Sequence, residues 1–114
     1  MNAYLCFPFS HKFKIVCLWR WYKSTLLTAR IMKKNPDLCV FSPVTFSYPV
    51  SLFLNNALSH DFWLKQDFSH LDRWADIILI PIEEKSWVDS YGIRKETERF
   101  NGMVVNVANS GEVL

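Results

Sequence analysis

The run IILIPI, residues 77 to 82, constrains the fold more than any other stretch of the chain. It has no polar residue to turn toward water, so it reads as a central parallel strand covered on both faces. Such a strand needs helices on either side, and the flanking sequence supplies them. AYLCF (3–7), stopped by Pro8, reads as a buried strand; LCVF (38–41) and MVVNV (103–107) read as two more. The segment from Ser10 to Lys34 reads as one long amphipathic helix. Ser10 is its N-cap, Ile15, Leu18, Tyr22, Leu26 and Ala29 form its apolar stripe, and Asn35-Pro36 stops it. SPVTFSYPVS (42–51), with two prolines, reads as a loop. Residues 51 to 75 read as helical, in two pieces around Ser59-His60. EEKSWVDS reads as a polar loop, and residues 91 to 100 as a short helix ended by Asn101-Gly102. The tail ANSGEVL reads as loosely held. Strands and helices thus alternate, which predicts one small α/β domain over residues 1–114 with a parallel sheet.

Composition narrows the function. Half of the residues are hydrophobic and 16% are aromatic, enough for a packed core and too apolar for disorder. The net charge is +2 and no Lys/Arg run exceeds two residues, so no nucleic-acid footprint is indicated. The three cysteines form no CxxC pair, and the apolar start, broken by Pro8 and His11-Lys12, is no signal peptide. Reduced thiols in a cytoplasmic protein are the expectation. No apolar stretch approaches the ~18 residues that span a bilayer. The histidines lack metal-ligand spacing, so no metal is expected, and without a P-loop or G-x-G-x-x-G no cofactor is expected either.

In a parallel α/β sheet, ligands bind at the carboxyl ends of the strands. Three loops leave that edge, PFSH, SPVTFSYP and EEKSWVDSYG, so Phe7 and Ser10 from the first are binding candidates. In the helix after the third, Ile93, Glu96 and Phe100 share one face, which turns Glu96 toward the core rather than plainly to water. A carboxylate there needs a partner or a ligand; the plainer reading is an ion pair with Arg99 or Lys95. Ser90 can cap the helix, and Gly92 allows close approach of a ligand. Asp61, Asp67, Asp72 and Asp76 crowd the segment before IILIPI. Asp76 can simply end a helix, Asp72 can pair with Arg73 or Lys65, and Asp61 and Asp67 can reach a pocket. Carboxylates near Glu96 suit glycosidic-bond chemistry, one as nucleophile and another as acid; a solvated acidic helix face is the plainer reading. Trp63, Trp87, Phe7, Phe9 and Tyr4 are candidates to stack on a base, although aromatics in such domains are more often core. CLWRWY (17–22) holds more large aromatics than one core stripe needs and reads as a self-association face.

These pieces together resemble the nucleoside 2-deoxyribosyltransferase-like superfamily, and most of all its small phage and bacterial members described as a domain of unknown function (DUF1937). The resemblance runs through Tyr4-Leu5 and PFSH, FSPVTFSYP with Tyr48 where the family carries a histidine, Asp61-Phe62-Trp63 with Asp67, and the W-x-x-S-x-G-x-x-x-E of Trp87, Ser90, Gly92 and Glu96. It implies a flavodoxin-like three-layer fold and a nucleoside or nucleotide as the small-molecule partner. It also implies cleavage of the N-glycosidic bond, by hydrolysis or base exchange, with Glu96 as nucleophile. Asp67 would protonate the leaving base or hold the sugar, Tyr4 would orient Glu96, and Ser90 and Gly92 would bind sugar or phosphate. Asp67 stands nine residues before Asp76, one more than the family pattern, which leaves Asp72 as a substitute for the second carboxylate. Arg94 and Lys95 suggest a phosphorylated substrate, or a non-catalytic nucleotide binder of the same fold. A homo-oligomer, with a neighbouring subunit completing the site, and a phage protein in the host cytoplasm are further implications.

Overall fold

The computed structural model describes residues 1–54 and 60–114. Its centre is a four-stranded parallel sheet in the order β2-β1-β3-β4, with β1 Asn2–Leu5, β2 Cys39–Phe41, β3 Ile77–Pro81 and β4 Met103–Val107. β1 pairs with both β2 and β3, setting Ala3 beside Val40 and Ile77. β3 pairs with β1 and β4, and all five of its residues are buried, as a run without polar residues demands. Helices cover both faces: α1 Lys14–Lys34 and α2 Pro43–Ser51, α3 His60–Arg73, and α4 Tyr91–Arg99. The architecture is the small three-layer α/β domain expected, of flavodoxin-like type. No helix among the described residues is long and apolar enough to cross a membrane.

Strand alternation divides the core. Ala3, Leu5, Ile77 and Leu79 pack on one side with Leu27 and Ile31 of α1. Tyr4, Cys6, Ile78 and Ile80 pack on the other with Leu71 of α3 and Ile93 of α4.

α1 differs from expectation at its start and on its face. Ser10 is not the cap: the helix begins at Lys14, and Phe13 precedes it without a side-chain capping bond. Ser10 and His11 instead belong to the turn after β1, where the His11 Nδ1 accepts the Phe13 N–H at 3.1 Å. The expected apolar stripe faces water, with Ile15 71%, Leu18 42% and Tyr22 50% exposed. The buried face is Ser24, Leu27, Thr28 and Ile31. Two hydroxyls can lie there because each is satisfied within the helix, Ser24 by the Trp21 carbonyl and Thr28 by that of Ser24. Periodicity marked an apolar stripe but could not say which stripe the sheet would take.

The segment read as a loop is helix α2. Pro43 occupies its first turn, where a missing N–H costs nothing, and the Ser42 hydroxyl caps it through the Thr45 N–H. Pro49 lies inside and leaves the Thr45 carbonyl without its helical donor; the Trp21 indole N–H of α1 supplies one at 3.2 Å. The polar loop before α4 contains one short 3-10 turn, Lys85–Asp89. α4 ends at Arg99, and Gly102 follows where an added Cβ would collide with the Phe100 ring. The tail is not loose. Val113 bridges Val107, Arg30 and Asn35 donate to the carbonyls of Asn109 and Gly111, and Gly111 adopts φ +92 against the α1 backbone. The expected break before α3 falls partly on residues 55–59, outside those described.

Candidate active site

A cavity of about 950 Å³ opens at the carboxyl ends of the strands, where loops are free to carry function. The loop after β1 contributes Phe7 and Ser10, α2 contributes Tyr48, α3 contributes Trp63 and Asp67, and α4 contributes Ser90, Gly92 and Glu96.

Glu96 is placed by its helix. Ser90 caps α4 by accepting the Ile93 N–H at 3.3 Å, and Ile93 anchors the helix in the core beneath β3. One turn on, the carboxyl of Glu96 is turned inward and only 5% exposed. β1 meets it there: the Tyr4 hydroxyl donates to Glu96 Oε2, and the Cys6 thiol is a further partner. Alternation puts Tyr4 of β1 and Cys6, one residue past its end, on the same sheet face, so one extended stretch delivers both.

The electrostatics follow from burial. Loss of water pushes the Glu96 carboxyl up to about 8; Asp67 adds to the rise, while the hydrogen bonds from Tyr4 and Cys6 oppose it. Burial alone lifts Asp67 to about 7. Burial, with the neighbouring Glu96, holds the Tyr4 hydroxyl and the Cys6 thiol well above their ordinary values, so both remain donors. Two carboxyls that keep protons near neutrality in one cavity are suited to exchanging a proton with a bound molecule.

The expected ion pairs of Glu96 do not form. Arg99 grips Asp72 through Nε at 2.9 Å and Nη2 at 2.7 Å, and Lys95 lies 4.0 Å from Glu98. Asp72 is therefore a surface residue committed to Arg99, not to Arg73 or Lys65, and does not line the cavity. Of the two aspartates weighed on α3, Asp67 is the one that lines the cavity. Asp76 accepts the Asn2 N–H at 2.7 Å and ties β1 to the foot of β3.

Among the binding candidates, Phe7, Ser10, Trp63, Ser90 and Gly92 line the cavity. A Cβ on Gly92 would meet nothing nearer than the Ser90 hydroxyl at 3.9 Å, so internal packing does not require the glycine; the open space is cavity. Asp61 is exposed and away from the lining. Trp87 turns back onto the Tyr4 side of the core and is also absent from the lining. Arg94 and Lys95, expected near a phosphate, lie over the Tyr91 ring instead. Sequence reasoning missed Cys6, Arg20 and Asp89. Cys6 follows Tyr4 by two in a strand, which is a legible signal, and Asp89 sits in a loop already marked as binding edge. Arg20 lies mid-helix and carries no local mark.

A family model, described as Domain of unknown function (DUF1937), matches residues 2–112. No curated protein matches the chain.

Proposed function

The chain belongs to the DUF1937 family, and on that premise we propose that it cleaves the N-glycosidic bond of a (deoxy)nucleoside or nucleotide. The observation that carries this reading is a buried Glu96 held by Tyr4 at the wall of a cavity that also contains Asp67. The likeness to the nucleoside 2-deoxyribosyltransferase-like superfamily supports the same roles. A Glu96 oxygen attacks the anomeric carbon, the bond to the base nitrogen breaks, and the Asp67 proton goes to that nitrogen. An ester joins Glu96 to the sugar. Water, losing a proton to Asp67, or a second base then attacks the anomeric carbon and frees Glu96.

The reactive form needs Glu96 ionised and Asp67 protonated. With Glu96 holding its proton to about 8 and Asp67 to about 7, that arrangement is populated by roughly one molecule in twenty near pH 7.5. The rate is expected to follow a bell with its maximum between the two values. The proton that burial keeps on Glu96 also favours a second reading, a binder that holds a nucleotide without turning it over.

The test is mass spectrometry of nucleosides, deoxynucleotides and dinucleotides incubated with the protein, beside Glu96→Ala. Base released by the wild type and not by the variant is the expected result. Tight binding without release from any substrate would leave the binder.

A further inference from the structure

We propose, resting on the glycosidic reading, that the α1 rim of the cavity is a phosphate seat built on Arg20, so that the substrate is a nucleoside 5′-monophosphate rather than a free nucleoside. Among the described lining residues Arg20 is the one lysine or arginine. It reaches the cavity from α1, the helix on the Leu5 side of the sheet, whereas Glu96 stands on the Tyr4 side. The cavity therefore carries its cation on one flank and its carboxyls on the other. A volume of about 950 Å³ is at the upper end of ligand cavities and has room for base, sugar and phosphate together.

The guanidinium is held and unspent. Its Nη1 donates to the Ser10 carbonyl at 2.8 Å, which fixes the fork against the loop after β1. Among the described residues no carboxylate lies within ion-pair distance of it. Glu84, whose carboxyl feels the Arg20 charge, is already engaged by Lys23 Nζ at 2.5 Å and the Ser86 hydroxyl at 2.8 Å. Lys23 thereby spares Arg20, whose remaining N–H groups match two oxygens of a phosphate.

The neighbours are donors as well. His11 lines the cavity, and its Nδ1 accepts the Phe13 N–H, so the neutral ring carries its proton on Nε2. The Ser10 and Ser47 hydroxyls, also in the lining, make no hydrogen bond with a described residue. Asp67 and Glu96 repel a phosphate less than two free carboxylates would, because burial keeps most of Glu96 and about half of Asp67 protonated near pH 7. Asp89 is the remaining acid of the lining and suits the hydroxyls of the sugar.

Deoxynucleosides and their 5′-monophosphates, compared pairwise, test this with wild type, Arg20→Gln and Arg20→Lys, by base release and by calorimetric titration. The wild type is expected to prefer monophosphates at least about tenfold in kcat/KM. Arg20→Gln is expected to cut that preference by about 10- to 100-fold, chiefly through KM, with Arg20→Lys between the two and the melting midpoints unchanged. Equal use of both substrates, or a preference that survives Arg20→Gln, overturns the phosphate seat and leaves the glycosidic reading standing. No release from any substrate, with monophosphate binding that depends on Arg20, does the reverse. No release and no Arg20-dependent binding overturns both.

Discussion

The two faces of the sheet are made by the same strands and serve different ends. On the α1 face β1 and β3 present Ala3, Leu5, Ile77 and Leu79 to Leu27 and Ile31, and among the described residues no ionisable side chain is buried with them. On the α4 face the same strands present Tyr4, Cys6, Ile78 and Ile80, and there Glu96 is buried against Tyr4 and Cys6. The first arrangement maximises apolar burial. The second accepts the cost of taking a carboxyl out of water, which a fold selected for stability alone would avoid. On the proposed reading, the α4 face is the one shaped by chemistry.

The sharpest way to break this contrast is to remove one central side chain from each face. Glu96→Ala is expected to lower base release on the order of 1000-fold or more while the protein stays folded. Leu79→Ala, on the dry face, is expected to do the opposite. A fully buried leucine leaves a cavity costing about 2–5 kcal/mol, which lowers Tm by roughly 10 °C or more, with turnover per folded molecule retained. Calorimetry and a base-release assay on both variants decide the matter. If Glu96→Ala unfolds and Leu79→Ala silences turnover in folded protein, the faces do not divide the work.

The same contrast carries a pH signature. An unfolded glutamate loses its proton above 4.5, whereas folded Glu96 keeps it to about 8, so the unfolded state gains on the folded one as pH rises through that window. Stability is expected to be full below that window and to fall across it. Glu96→Gln keeps an acceptor for Tyr4 and removes the titration, so it is expected to stabilise the protein by a few kcal/mol at about pH 9 and hardly at all at about pH 5. Asp67, lifted from 3.8 to about 7, leaves a smaller slope of the same sign in the variant. Denaturant midpoints at the two pH values test this; a variant no more stable than wild type at high pH would show that Glu96 pays no desolvation cost.

How much of this was legible in the sequence also divides by face and by kind of residue. Strands were legible because IILIPI and AYLCF satisfy one rule, burial of a short apolar run, that tertiary contacts do not overturn. Glu96 was legible as an inward carboxyl because Ile93 and Phe100 fix its helix face; Tyr4 beside it came only from the family resemblance, since the residues alone suggested a base-stacking ring and the ring is buried outside the lining. The α1 face was not, since its apolar stripe is exposed and its buried stripe contains Ser24 and Thr28. Neither was α2, because a helix with an internal proline depends on Trp21, a partner 24 residues away from Thr45. Asp61, Trp87 and the pairing of Asp72 failed for the same reason: side-chain direction and long-range partners are set by packing, not by spacing.

Within the α4 face, Tyr4→Phe sharpens the comparison by separating orientation from attack. The hydroxyl donates to Glu96 and favours its ionised form. Its loss is expected to lower kcat by about 10- to 100-fold and to move the pH maximum upward, because Glu96 then holds its proton to higher pH. A merely structural role would lower stability without moving the profile.

The smallest effect belongs to Asp72, and it discriminates between the two acids of α3. Asp67 and Asp72 lie on one helix, but Asp67 faces the cavity with its carboxyl raised to about 7, while Asp72 is outside and lowered, chiefly by its hydrogen bond to Arg99. An exposed ion pair is screened by water and salt and contributes little. Asp72→Asn is accordingly expected to leave base release unchanged and Tm nearly so. Asp67→Asn cannot supply a proton and is expected to lose base release, least with substrates whose leaving base needs no protonation. If instead Asp72→Asn slowed release and Asp67→Asn did not, the acid would have to come from the outer side of α3, and the cavity would not be the site.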